Sequence, residues 1–269
     1  FFTFFNPKLG LTYKTSEKQR WYGSYAKAQR EPNRTDYENG DPKPEALHDF
    51  ELGWRKETEQ INLQANLYWM EYRDQLVLTG ALDEVGYPIR ENIGKSRRIG
   101  IEIDAKMKFS PVWLWQPNVA FSQNQNLDFK FQRDGNIEDL GVTNLSYSPS
   151  VVAGNAFIFA PSTNFQIGLL SKYVGKQYMG NIDSENSVLD AYFTSDLNTT
   201  YLFQKLSWAK EVQFSLLINN IFNTLYESNG YFYTYDDDWS VAGQIKTNEG
   251  TGFYPQAGIN FLVGIRVLF

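Results

Sequence analysis

The stretch that decides the fold is Gly258–Phe269, GINFLVGIRVLF. Read with a period of two, Ala257, Ile259, Phe261, Val263, Ile265, Val267 and Phe269 fall on one face. Gly258, Asn260, Leu262, Gly264, Arg266 and Leu268 fall on the other. This alternation predicts a strand with one apolar face and one mixed face. An apolar run that ends on a bare phenylalanine is unlike the polar tails of soluble domains. What the apolar face touches has to be read from the rest of the chain.

Alternating runs recur along the sequence, at about 6–15, 20–30, 45–57, 61–78, 97–109, 112–124, 149–160, 164–177, 189–203, 211–223 and 257–269. In the cleanest, Ile99, Ile101, Ile103, Ala105, Met107 and Phe109 alternate with Arg98, Gly100, Glu102, Asp104, Lys106 and Lys108. Phe50, Leu52 and Trp54 oppose Asp49, Glu51, Gly53 and Arg55 in another. Helical periodicity is almost absent. Period alone does not say which face is inside. A soluble β-sandwich buries the apolar face. A membrane barrel turns it toward lipid and the polar face toward the lumen.

The connections break the tie. Ser16–Gln19, Glu57–Glu59, Ser110–Pro111 and Pro161–Thr163 read as tight turns, with a somewhat longer one at 204–210. Between them fall long links at about 32–44, 79–95, 125–148, 178–188 and 224–256. Outer-membrane barrels alternate short periplasmic turns with long extracellular loops, and a sandwich has no reason to. The fold class expected is therefore all-β, an antiparallel transmembrane β-barrel, with Phe269 at the inner membrane–water interface. Trp113, Trp115, Trp208 and Tyr13 lie near the tight turns and read as an aromatic girdle.

Composition agrees. Mean hydropathy is −0.45, as expected when lipid-facing and lumen-facing residues average out. No run of about 18 apolar residues predicts a membrane-spanning helix. Aromatic residues make up 16% of the chain, enough to furnish girdles. The net charge of −6 argues against nucleic acid as a partner. With no cysteine, disulfides and thiolate metal sites are excluded. The opening FFTFFNPKLG carries no export signal, so the sequence is expected to be a mature fragment or a piece of a longer chain.

Several segments then line up with one family. Asn6–Leu11 (NPKLGL) resembles an "NPK-x-G" strand start, and Tyr25–Arg34 (YAKAQREPNR) the strand-to-loop segment after it. Lys43-Pro44-Glu45 with Glu51-Leu52-Gly53 is similar to a "kPE…ElG" strand. Asn92–Ser96 leading to Gly100-Ile101-Glu102 is similar to "N-x-G-x-s-x-x-x-G-x-E". Leu217–Asn223 with Tyr226 resembles a penultimate "L-x-N-x-F-N-x-x-Y" strand, and Tyr254-Pro255 with Phe269 the family ending. In order over the whole chain, these motifs resemble the C-terminal half of a TonB-dependent outer-membrane receptor.

The resemblance implies a twenty-two-stranded barrel of which residues 1–269 supply the last eleven strands, as a single incomplete domain. It implies an N-terminal half-barrel and a plug as partners, since eleven strands with open edges would leave backbone groups unpaired in lipid. It implies location in the outer membrane of a Gram-negative bacterium and uptake driven by the TonB complex acting on the plug. The ligand suggested is a ferric siderophore; haem, cobalamin and oligosaccharide stay open. A passive channel or structural barrel is the alternative in the same fold, and a soluble binding module the alternative outside it. An enzyme is disfavoured, because no nucleophile is paired with a base. Phe269 and the strand before it are expected to be the signal for the barrel-assembly machinery. Outer-membrane lipid is a further expected partner, with a surface lipoprotein or other protein at the loops.

Candidate ligand contacts are Arg30, Arg34 and Tyr37 in an early loop, and Tyr231, Tyr233, Tyr235 and Trp239 in the last one. The early group reads more readily as a structural ion pair, and the late group equally as aromatics packing the loop on itself or touching a neighbouring protein. Asp236-Asp237-Asp238 reads as a solvated loop or a cation site. Asp49, Glu51, Arg55, Arg98, Glu102, Asp104, Lys106 and Arg266 lie on the polar face. These are expected to face the lumen and meet the plug, or else to pair among themselves. His48, the sole histidine, shares parity with Phe50 and is expected toward lipid. No metal site and no cofactor are expected.

Overall fold

A computed structural model describes residues 1–38, 40–82, 87–204 and 206–269. In chain order its strands are β1 Lys8–Ser16, β2 Gln19–Arg30, β3 Glu45–Glu57, β4 Ile61–Leu82, β5 Pro88–Ser110, β6 Trp113–Arg133, β7 Asn136–Asn144 and β8 Val151–Ser162. They continue with β9 Phe165–Val174, β10 Gln177–Tyr178, β11 Val188–Leu189, β12 Tyr192–Gln204, β13 Glu211–Asn219, β14 Glu227–Asp237, β15 Lys246–Pro255 and β16 Asn260–Leu268. One short helix, α1, covers Arg34–Glu38. The wall is a single antiparallel meander in the order β1-β2-β3-β4-β5-β6-β8-β9-β12-β13-β16, with β7 pairing off β6. Eleven wall strands were expected, and the path has eleven. Among the described residues β1 and β16 do not pair, so each leaves an open edge.

Register explains the two faces. Leu11, Gly23, Leu52, Leu67, Ile101 and Phe121 lie in one row across six strands. At the far side Ile218, Leu216, Phe214 and Val212 meet Phe261, Val263, Ile265 and Val267. These apolar residues form one continuous surface that is not a core. Phe261 is 72% exposed and Ile265 is 69% exposed. In water such a surface would be strongly unfavourable, whereas lipid is as apolar as the side chains themselves. Polar groups on it pair within the sheet in two places: Ser195 Oγ donates to Ser171 Oγ at 2.8 Å, and Trp115 Nε1 donates to Asn155 Oδ1.

Tight turns close one end of the sheet. Rings cluster there, with Trp113 4.3 Å from Phe159 and Trp208 6.5 Å from Phe269 between centroids. The polar face carries close-packed glycine–tyrosine pairs. The Tyr22 ring lies over Gly53 and the Tyr68 ring over Gly100, where any β-carbon would collide with the ring. Tyr22 Oη then reaches Asn66 Oδ1 at 3.0 Å.

The other end differs from expectation. The links at 79–95, 125–148 and 224–256 are largely strands rather than loops, although 83–86 lie outside the described residues. The β4–β5 hairpin runs on past the apolar band, β6 and β7 form a second arm, and β14–β15 form a third. The Asp134-Gly135 turn of the second arm has φ of 52° and 75°, the left-handed pair that a tight hairpin requires. Val77, Ile93, Phe129, Phe131, Leu145 and Ile182 from these segments bury one another, with Phe232 packed alongside. The chain's hydrophobic core is thus in this cap, at the end where water is the solvent.

Candidate functional site

The cap is the place where side chains from distant parts of the sequence converge. Buried Asn126 donates to Thr143 Oγ1 at 3.0 Å and to Asn181 Oδ1 at 3.4 Å. Asn181 in turn donates to the Leu78 carbonyl and accepts from the Ser146 amide. Asn92 accepts from the Lys43 amide and donates to the Lys43 and Asp74 carbonyls, so it fastens the 32–44 link to the first arm. These are charge-neutral contacts, and inside a low-dielectric cap each unmade one would cost about 1–3 kcal/mol.

Glu249 on β15 is the charged hub. It accepts from Ser184 Oγ at 2.5 Å and Asn186 Nδ2 at 2.8 Å, and pairs with Arg133 at 3.4 Å. Burial acts to raise its pKa, but those hydrogen bonds and the guanidinium outweigh it, and the carboxyl is held below its ordinary value. Thr247 joins the second and third arms, exchanging hydrogen bonds with the Asp134 backbone and carboxylate and donating to Asp236 Oδ1.

Among the cavities at the cap end, two border β14. The larger, about 860 Å³, lies between the first and second arms and β14, with Val77, Ile93, Phe129, Phe131, Thr234 and Tyr235 in its walls. The smaller, about 330 Å³, is lined by Tyr147, Met179, Asn181, Tyr231 and Tyr233 among others. Both volumes fall in the range of small-molecule sites. Beside them runs the aromatic row. Tyr231, Tyr233 and Tyr235 alternate on β14 with centroids 6.3 Å apart, and Trp239 stacks on Tyr235 at 6.2 Å. Tyr231 and Tyr233 lie flat over Gly252 and Gly250 of β15, which leave no side chain in the way.

The late aromatic candidates are therefore brought together. The early group is used elsewhere. Arg30 forms an ion pair with Glu45 at 2.7 Å, and Glu45 also accepts the Leu76 amide. Arg34 pairs with Glu38 along α1, and Tyr37 is exposed. Among the described residues none of the three touches the aromatic row through a hydrogen bond, ion pair or ring contact. The three aspartates form no metal cluster among the described residues. Asp236 is taken by Thr247, and Asp237 accepts from the Ser240 and Trp239 amides; the Ser240 hydroxyl first, then these amides, hold its pKa below the ordinary value.

Asp49, Glu51, Arg55, Arg98, Glu102, Asp104, Lys106 and Arg266 all fall on the face opposite the apolar band. Arg55 is already paired with Glu57. Arg98 lies over the Tyr72 ring at 4.3 Å. One oxygen of Asp49 and one Nη of Arg98 are buried without a partner. His48 sits with the apolar parity, its Nδ1 2.9 Å from Tyr25 Oη. Sequence reasoning missed the cap core, the Asn126–Asn181 network and Glu249. A signal for one of them existed, since Asp134-Gly135 between alternating residues is a hairpin signature. Contacts such as Arg133–Glu249 span more than a hundred residues and leave no local trace.

An antiparallel wall with this turn alternation and an apolar outer band has the architecture of a transmembrane β-barrel wall. The family model described as TonB dependent receptor-like, beta-barrel, matches residues 1–221, and the chain belongs to that family. It is 25% identical over 199 residues to the pesticin receptor of Yersinia enterocolitica, a match covering 71% of this chain and 27% of that protein. The ferric yersiniabactin uptake receptor FyuA from Yersinia pestis is similar in structure, with TM-score 0.64 and 20% identity over 96% of this chain and 36% of that one. The ferric-catecholate import receptor Fiu from E. coli K12 gives TM-score 0.67 and 17% identity over 96% and 34%. The chain thus spans about a third or less of the length of these proteins.

Proposed function

We propose that this chain forms the C-terminal wall and cap of an outer-membrane importer whose cargo is a ferric siderophore. The observation that carries the ligand class is the row Tyr231, Tyr233, Tyr235 and Trp239 beside two cavities. Flat, exposed rings stack on the planar rings of an aromatic chelator, which brings its iron already coordinated. The cargoes named for FyuA and Fiu, a ferric yersiniabactin and a ferric catecholate, support this reading. The family is one of transport receptors rather than enzymes.

The open edges of β1 and β16 favour completion by an N-terminal half-barrel over a small closed channel. The unpartnered atoms of Asp49 and Arg98 support a plug seated on the polar face, meeting Asp49, Glu51, Arg98, Glu102, Asp104, Lys106 and Arg266. Work from the TonB complex on that plug would open the path. The test uses the full-length receptor in an outer membrane lacking other iron receptors. Uptake of radioactive iron on an aromatic siderophore is expected, and Tyr231→Ala with Tyr235→Ala should weaken binding on the order of tenfold. Transport of haem, cobalamin or oligosaccharide with no siderophore uptake would replace the cargo. Ion conductance without TonB dependence would replace the mechanism.

A further inference from the structure

The aromatic row begins beside a reactive dipeptide. Two Asn-Gly pairs occur in the sequence, Asn39-Gly40 and Asn229-Gly230. Asn39 lies outside the described residues. Asn229 is exposed near the start of β14, two residues before Tyr231. Its side-chain Oδ1 accepts the Gly230 amide at 2.9 Å. The backbone nitrogen after Asn229 is thus held against the Asn229 side-chain amide. Rotation about Cα–Cβ exchanges Oδ1 for its neighbour Cγ, which sets up a near-attack contact for closing a five-membered ring. Gly230 has no β-carbon to obstruct the approach.

The surroundings single this pair out. The β14–β15 register slips between Glu227 and Asn229. A bulge disrupts the ladder locally, and ring closure needs a backbone that can bend out of it. Gly230 is also demanded by packing, since a β-carbon there would collide with the Gly252 carbonyl oxygen and with Met179 Sδ. The fold therefore requires the very residue that leaves Asn229 open to attack. Asp134-Gly135 differs in kind. Its carboxylate is a poor electrophile when ionised, and it already accepts the Thr247 amide at 2.7 Å.

We infer that Asn229 is a site of spontaneous deamidation, and that its conversion loosens the entry to β14. Gly230 N bonds to Asn229 Cγ and the Cγ–Nδ2 bond breaks. The side-chain nitrogen leaves as ammonia, with the proton that Gly230 N loses relayed to it through water. Water then opens the cyclic imide. Opening at Cγ gives aspartate, and opening at the backbone carbonyl gives isoaspartate. No oxidant or reductant takes part. Either product adds a negative charge, and isoaspartate adds a methylene to the main chain. That insertion falls where Tyr147 Oη donates to the Gly230 carbonyl at 3.0 Å and where Gly230 packs on Met179. Tyr147, Met179 and Tyr231 all line the smaller cavity, so its shape changes with the conversion. The inference concerns the chain's own chemistry and is independent of the cargo.

The full-length receptor in detergent, aged at mildly alkaline pH and digested for mass spectrometry, tests this. Chromatography of the peptides separates aspartate from isoaspartate. Asn229 should convert at least about tenfold faster than Asn136, which is also exposed on a cap strand but precedes Ile137. The rate should rise with pH, because the attacking nitrogen must lose its proton. In Asn229→Gln the same attack closes a larger ring, and position 229 should stay unconverted. Hydrogen exchange at 230–235 should be faster in the converted fraction, while β9 and β13 are unchanged. Conversion of Asn229 no faster than that of Asn136 overturns the site. So does an Asn229 that stays intact in the folded receptor yet converts once denaturant unfolds it, because the fold then protects the pair. Equal conversion in Asn229→Gln overturns the ring-closing route. Conversion with unchanged exchange at 230–235 overturns the loosening.

Discussion

Replacing Glu249 with alanine removes the acceptor that ties β15 to the 184–186 segment and to the tip of β6. Hydrogen bonds to a charged acceptor contribute about 1.5–3 kcal/mol each, and Glu249 accepts two from Ser184 and Asn186. Its side chain is 13% exposed, so the lower end of that range applies. Arg133 is 32% exposed and keeps Glu138 at 3.4 Å, so the lost ion pair adds no more than about 1 kcal/mol. The sum is roughly 3 kcal/mol, or about a hundredfold in the equilibrium for opening the third arm. Hydrogen exchange on the full-length receptor in detergent reads this directly. Amides around 184–189 and 246–252 should exchange about a hundredfold faster, while those of β3, β4 and β9 within the band stay unchanged. Glu249→Gln keeps one oxygen and loses the charge, so its effect should be about 1 kcal/mol.

The pH dependence follows from the same group. Its folded pKa is depressed, so its stabilisation is present above the unfolded carboxyl value of 4.5 and is lost as pH falls through the folded value. Cap protection should be flat from neutral pH down to about 5 and decline only in more acid solution. Unchanged exchange in the alanine variant would refute the hub. So would exchange raised equally in cap and wall, which would mean that Glu249 acts on the whole barrel.

Other expectations concern the wall and the network. Gly100→Ala puts a β-carbon 2.6 Å from Tyr68 Cζ and 2.7 Å from the Phe121 carbonyl oxygen, and the latter is backbone that cannot swing away. It should lower barrel stability by about 1–3 kcal/mol, read as a lower temperature for loss of the fast-migrating folded form on electrophoresis; no shift would mean that the ring over Gly100 is loosely held. Asn126→Ala takes the amide donor from Thr143 Oγ1 and leaves Asn181 Oδ1 with the Ser146 amide alone, at a cost of about 1–3 kcal/mol. Limited proteolysis should then cut within 136–148 and 178–188 first, and an unaltered pattern would count against the network. Deleting Phe269 removes the ring beside Trp208 and should reduce receptor levels in the outer membrane; unchanged levels would count against its role in assembly.

The wall was legible in the sequence because its information is local. Ile99, Ile101 and Ile103 alternating with Arg98, Glu102 and Asp104 report two solvents within a few residues, and Ser110-Pro111 or Pro161–Thr163 report a turn. Eleven wall strands and their two faces follow from that alone. The polar-face set was readable on the same grounds, because parity assigns a residue to a face without knowledge of its neighbours; the aromatic row reads in the sequence only as a dense cluster in a loop, and the structure places its tyrosines on β14. Arg30 and Arg34 were ambiguous, because an arginine at a loop mouth looks the same whether it meets a ligand or Glu45 and Glu38.

What only the tertiary structure decided is the cap. Val77, Phe129, Leu145 and Ile182 come from four separate segments and bury one another because the long hairpins stand in water, not in lipid. Nothing in the spacing of Phe129 and Phe131 distinguishes a lipid-facing strand from a cap strand, since both alternate. The choice depends on how far β4, β5 and β6 run beyond the band, and that is fixed by pairing across the sheet.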